Sequence, residues 1–218
     1  MSQTAIAFVV SVLAAGASAV HAQDASSGDA AAGQKKAAMC IGCHGIPNYR
    51  ASFPEIHQVP MISGQGAKYI AAALQAYRKG GRKHPTMRGI AGSLSDQDMA
   101  DLAAYYASHQ PAAAAGAAPP PSAAVAELLK KANCASCHGD NLNKPIDAGY
   151  PKLAGQHADY LFVALKAYRI EHNTTIGRGN AIMAGMAKPF THAELKVLAG
   201  YIASLPGDLQ TVPNPKFR

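Results

Sequence analysis

The chain has only four cysteines, no charged side chain among residues 1–22, and no sustained alternation of apolar and polar residues. Beyond its opening segment, it also has no apolar run long enough to cross a bilayer. Each absence excludes something. Without alternation there is no half-buried strand pattern, so a sheet-built domain is set aside in favour of helices. Without a second apolar run the rest of the chain has no membrane-spanning helix, which needs about 20 residues. With four cysteines already engaged in one pattern, no spare thiolate remains to ligate or to catalyse.

That pattern is Cys40-Ile41-Gly42-Cys43-His44 and Cys134-Ala135-Ser136-Cys137-His138, which together use every cysteine. Cys-x-x-Cys-His is the attachment signature of c-type haem. Each pair, Cys40 with Cys43 and Cys134 with Cys137, can form two thioether bonds, and His44 or His138 then lies beneath the iron as a ligand. Two covalently bound haem c groups and electron transfer are therefore expected. Zinc held by the same cysteines is the non-haem alternative, and export of the chain together with the two adjoining histidines weighs against it.

Residues Ala5 to Val20 are small and mostly apolar and lead into Val20-His21-Ala22, an A-x-A-like cleavage site ahead of Gln23. A removed export signal over residues 1–22 is expected, which places the protein in the periplasm. The leading Met1-Ser2-Gln3-Thr4 carries no Lys or Arg, so retention as an anchor is the alternative. The formal charge is +7, distributed as +3 over residues 23–110 and +4 over residues 122–218. Four haem propionates would lower the total to about +3. This modest basic excess suits an acidic docking face or peripheral attachment to an anionic membrane, or is a solvated surface with no specific partner. With export expected, no nucleic-acid partner is expected.

The chain repeats itself. Ile62-Ser63-Gly64-Gln65-Gly66-Ala67-Lys68-Tyr69 recurs 91 residues later as Leu153-Ala154-Gly155-Gln156-His157-Ala158-Asp159-Tyr160. Leu102-Ala103-Ala104-Tyr105-Tyr106-Ala107-Ser108 recurs after 96 residues as Leu198-Ala199-Gly200-Tyr201-Ile202-Ala203-Ser204, and the cysteines repeat after 94. Two homologous units are expected. The organisation read from this is a signal at 1–22, one unit at 23–109, a linker at 110–123, and a second unit with a C-terminal tail at 124–218. The linker runs from Gln110 through an Ala-rich stretch to Pro119-Pro120-Pro121. Wholly polyproline-like, it would reach about 40 Å at ~3.1 Å per residue, so it does not force the two sites together. The tail from Pro206 to Arg218 is expected to be irregular and to lie over the second unit.

Helices are expected over Ala31 to Met39, Ala67 to Arg78 and from Ser95 onward, then over Ala124 to Asn133, Ala158 to Tyr168 and from Thr191 onward. Ser95-Asp96-Gln97-Asp98 resembles a capping box. Roughly 85 residues per unit is little for a hydrophobic core, and a bound haem would supply apolar interior.

Met87 stands seven residues before Leu94 and Met183 seven before Phe190, so the two are equivalent in the repeat. They are the candidate sixth ligands, soft thioethers that favour ferrous iron. Met186 is a rival to Met183, and core filler is the alternative role for a methionine. Pro60 and Pro151 are also equivalent, and either their carbonyls accept from the haem histidines or they merely end extended chain. Arg82 and Arg178 each precede their methionine by five residues and are either propionate partners or solvated. His57, His84, His109, His157, His172 and His192 do not recur in register and are assigned to surface or loops.

The doubled motif, the Gly-Gln segments and the stretch from Met87 to Tyr106 together resemble the dihaem cytochrome c4 family. The resemblance covers about Asp29 to Leu205. It implies an all-α fold of two tandem class I cytochrome c domains joined by the Ala/Pro-rich linker. It further implies His/Met ligation of both haems, carbonyl roles for Pro60 and Pro151, and delivery of electrons from a cytochrome bc complex toward a terminal oxidase. Two features depart from the family pattern: a longer, looser linker, and unequal loops, with Ile46 to Pro54 in the first unit set against Gly139 to Asn143 in the second. The first argues against a tightly packed haem pair, and the second predicts unequal potentials. The alternatives to a carrier are the cytochrome subunit of a periplasmic dehydrogenase and a dihaem enzyme with an open iron.

Overall fold

The computed structural model describes residues 27–109 and 116–213. The expected signal at 1–22, linker residues 110–115 and tail residues 214–218 lie outside the described residues. Helices dominate, as expected for an all-α chain. The first half holds α1 (Ala30–Lys36), α2 (Ala38–His44), α3 (Ala67–Arg78), α4 (Pro85–Gly92) and α5 (Asp96–Ser108). The second holds α6 (Ala123–Ala132), α7 (Ala135–His138), α8 (Ala158–Ala167), α9 (Ala181–Ala187) and α10 (His192–Ser204). Four two-residue strands, β1 (Arg50–Ala51), β2 (His57–Gln58), β3 (Arg82–Lys83) and β4 (Gly177–Arg178), complete the described elements.

The two longest helices begin where side chains satisfy their free N–H groups. Ser95 caps α5 and Thr191 caps α10, each in a full capping box with Asp98 or Glu194. The expected helix over Ala31 to Met39 is instead broken at Ala37, so α2 starts afresh and carries the haem motif. In the first half α1 crosses α5 at Gly33, where an added Cβ would sit 2.1 Å from the Asp101 carbonyl oxygen. The crossing needs a residue without a side chain. Met99, Leu102 and Tyr106 of α5 form the core below it with Ile70 of α3. In the second half, Leu195 and Leu198 of α10 pack with Phe190 and Ala132, and Leu161 packs with Ala199 and Ile202.

Asp101, only 2% exposed, sits in the α1–α5 crossing. It accepts hydrogen bonds from Lys36 Nζ at 2.6 Å, Gln97 Nε2 at 2.7 Å and the Asp29 N–H at 2.9 Å. Lys36, then the Asp29 N–H, holds this carboxyl below its usual range. A depressed folded pKa contributes stability that is fully present above the unfolded pKa and is lost as pH falls through the folded one. Replacing Asp101 with Asn is therefore expected to lower the melting midpoint by several degrees at pH 7. That deficit should shrink below a pH of about 4, the range of an unperturbed Asp, in circular dichroism melts.

The halves meet through their own surfaces. β3 pairs with β4 in antiparallel register, Arg82 opposite Arg178 and Lys83 opposite Gly177. Lys83 Nζ also reaches the Asn173 carbonyl. The hairpin β1–β2, built from the first unit's longer loop, lies against α8: Asp159 accepts from the Gln58 N–H at 3.0 Å and pairs with Arg50, while Glu55 pairs with Lys166. His57 is not on the surface as expected but 4% exposed, its ring 6.2 Å from that of Tyr160. The tail also departs from expectation. It is anchored in the second half by Lys152 with Asp208 at 2.6 Å, then crosses to the first, where the Gln210 N–H donates to the Ser63 carbonyl at 3.1 Å. Gly64, at φ +83, lets it pass, since a Cβ there would lie 2.3 Å from the Asp208 carbonyl oxygen. The loose arrangement suggested by the linker is thus overruled by contacts that the linker does not make.

Candidate functional site

Cys40, Cys43 and His44 occupy the last turns of α2, while Cys134 stands at the N-cap of α7 and Cys137 and His138 lie in its single turn. Cysteines three apart on a helix share one face, and none of the four is paired in a disulfide. Cys40 packs against the first core and Cys134 against the second, and burial pushes both thiols up. Thioether bonds would remove that ionisation.

His44 Nδ1 lies 2.8 Å from the Pro60 carbonyl oxygen, and His138 Nδ1 lies 2.8 Å from that of Pro151. A carbonyl can only accept, so each Nδ1 carries the proton and each Nε2 keeps a free lone pair for a metal. Burial lowers both imidazole pKa values, against the opposing pull of the carbonyl, which keeps the rings neutral and able to ligate.

Met87 and Met183 are each the third residue of a short helix, α4 and α9. The Met87 N–H donates to His84 Nδ1 at 3.4 Å, and the Met183 N–H donates to Asn180 Oδ1 at 2.9 Å. His84 and Asn180 are thus equivalent N-caps, and both methionines are partly buried, whereas Met186 is 37% exposed. His84, assigned to surface or loops, lies in the loop ahead of α4 and has a structural task there as its cap. Sequence patterning missed α4 and α9, although Pro85 at the first helical turn is a recognised start signal.

Arg82 and Arg178, far from being solvated, face each other across β3 and β4. Arg82 Nη2 donates to Tyr69 Oη at 2.8 Å and stacks over Tyr69 and Tyr77. Arg178 Nη2 donates to Tyr160 Oη at 2.9 Å and stacks over Tyr160 and Tyr168. Among the described residues, neither guanidinium makes an ion pair with a carboxylate. Two partly buried cations side by side call for anions, and each haem brings two propionates. Among the described residues no group of three or more His, Cys, Asp or Glu side chains could hold a metal ion, as a zinc site would require. The donor set therefore fits haem: paired thiols, a tautomer-locked imidazole, and cations for the propionates.

The sequence agrees with known proteins on this point. The cytochrome c family model matches residues 30–110 and 122–206. Cytochrome c4 of Azotobacter vinelandii is 35% identical over 197 residues, covering 83% of this chain and 90% of that one. The crystal structure of reduced recombinant cytochrome c4 from Pseudomonas stutzeri superposes with a TM-score of 0.60 at 32% identity, covering 82% of this chain and 99% of that one. The thiosulfate dehydrogenase electron acceptor of Stutzerimonas stutzeri is 30% identical over 183 residues, 79% of this chain and 82% of that one. With two cytochrome c units, each holding the residues for covalent haem c, the chain belongs to the cytochrome c4 family of electron-transfer proteins.

Proposed function

We propose that the chain is a periplasmic carrier that passes single electrons between respiratory partners through two haems, one held by His44 and Met87 and the other by His138 and Met183. The observation that carries this reading is the duplication of each ligand pair: carbonyl-locked histidines 94 residues apart, and methionines 96 apart at the third position of equally capped helices. Haem iron supplies the one-electron chemistry. Cys40, Cys43, Cys134 and Cys137 would tether it, Pro60 and Pro151 would aim the imidazoles, and Met87 and Met183 would supply thioethers that close the site to exogenous ligands. Arg82 and Arg178 compensate the propionates. The division into signal 1–22, units 23–109 and 124–218, and linker 110–123 belongs to the same reading, as does export to the periplasm. Its donors and acceptors would be a cytochrome bc complex and a terminal oxidase, reached through the chain's basic surface, with peripheral membrane contact as one mode of docking.

A second reading, the cytochrome subunit of a periplasmic dehydrogenase, is favoured by the 30% identity to a thiosulfate dehydrogenase electron acceptor. Affinity purification from the periplasm under mild conditions separates the two. Recovery of the chain alone, oxidised by membranes that contain a terminal oxidase, supports the carrier. Recovery in fixed ratio with a protein that holds its own catalytic cofactor supports the subunit.

A further inference from the structure

Gln65 and Gln156, equivalent in the repeat, are both 4% exposed and both reach into the opposite unit. Gln156 Nε2 donates to the Met61 carbonyl at 2.9 Å, and its Oε1 accepts from the Met61 N–H at 3.0 Å. Gln65 does the same to Lys152, donating at 3.0 Å and accepting at 2.9 Å. Each Oε1 also accepts from the next residue of its own loop, Gly66 or His157, so neither amide is free to turn.

The residues gripped are the ones that follow Pro60 and Pro151. The Met61 N–H and the Pro60 carbonyl are the two ends of a single rigid peptide plane. Gln156 holds the N–H end, and His44 Nδ1 donates to the C=O end at 2.8 Å. Gln65 holds the Lys152 end of the peptide whose Pro151 carbonyl accepts from His138. Such a chain of bonds polarises along its length: drawing on the N–H makes the carbonyl a stronger acceptor. A stronger acceptor gives the imidazole more anionic character and makes it a more basic ligand.

We infer that Gln156 and Gln65 are crossed positioning residues, each setting the orientation and basicity of the haem histidine in the other unit. The inference rests on the reading of His44 and His138 as iron ligands. Docking of the units then tunes both potentials, because each site is completed by an amide from its partner. A more basic histidine favours ferric iron, so the intact clamp lowers the potential of the haem it serves.

The test is Gln156→Met, close in volume but without the amide, in the full haem-loaded chain, with the two haems distinguished by their NMR methyl resonances. At a fixed potential, the reduced-to-oxidised ratio of the first haem should rise about threefold, roughly 28 mV at 59 mV per tenfold, while the second haem changes much less. In the reduced protein, the His44 Nδ1 proton resonance should move as well. Gln156→Glu keeps an acceptor, and a stronger one, and should shift the first haem in the opposite direction. A loosened interface alone would move both variants the same way and overturns the inference, as does a shift confined to the second haem or no shift in either readout. A His44 proton that moves while the first potential stays fixed also overturns it, and assigns the failure to His44 as the iron's ligand.

Discussion

Replacing Met87 with alanine is expected to open the first iron to carbon monoxide and to lower its potential, leaving the second haem unchanged. A thioether favours ferrous iron, and its loss leaves water or nothing in its place. Axial ligands set haem potentials across roughly 0.8 V, so a fall on the order of 100 mV or more is expected. Met183→Ala should do the same to the second haem. Met186, at 37% exposed, should tolerate alanine with no spectral change. The fold should survive, because Met87 is only partly buried and α4 keeps its His84 cap. Optical spectra of the reduced variants with and without carbon monoxide check this, and an unaltered Met87→Ala spectrum would remove Met87 from the iron.

The second large effect is at the paired arginines, where stability and potential should fall together in Arg82→Leu. Considered without anions, Arg82 and Arg178 are like charges in register across two strands, and deleting one would relieve repulsion. Beside haem propionates the sign reverses. Removing one partner of a partly buried ion pair leaves an uncompensated charge, at a cost of up to about 3–5 kcal/mol when burial is complete. Loss of a nearby cation also favours the more positive ferric state, so the potential drops. Thermal melts and redox titration of the haem-loaded variant check both signs, and a more stable Arg82→Leu protein would mean that the arginines do not serve propionates.

The parts of the fold legible in the sequence were those set by local signals. Ser95 with Asp98, and Thr191 with Glu194, announced α5 and α10, since a capping box is written in four adjacent residues. Cys-x-x-Cys-His likewise named its chemistry at fixed spacing. The short helices α4 and α9 were not legible: they run only eight and seven residues and contain Gly89 or Gly185. Short segments with weak propensity depend on tertiary packing to form. The face between the units was hidden for a different reason. Linker length bounds how far two units can separate and says nothing about what docks. The residues that do dock, Gln65 and Gln156, are ordinary polar side chains whose mark was recurrence at equal register. A polar residue repeated at equal register and buried in both copies, as Gln65 and Gln156 are, was the overlooked signal.

The most direct test of the central claim is an optical redox titration of the haem-loaded protein, following the haem bands and the long-wavelength methionine-to-iron band, with carbon monoxide added to the reduced form. Two low-spin, high-potential haems that keep the methionine band and ignore carbon monoxide are the expected result. A high-spin haem, or one that binds carbon monoxide, would contradict it, because one iron would then lack the methionine on which an outer-sphere carrier depends.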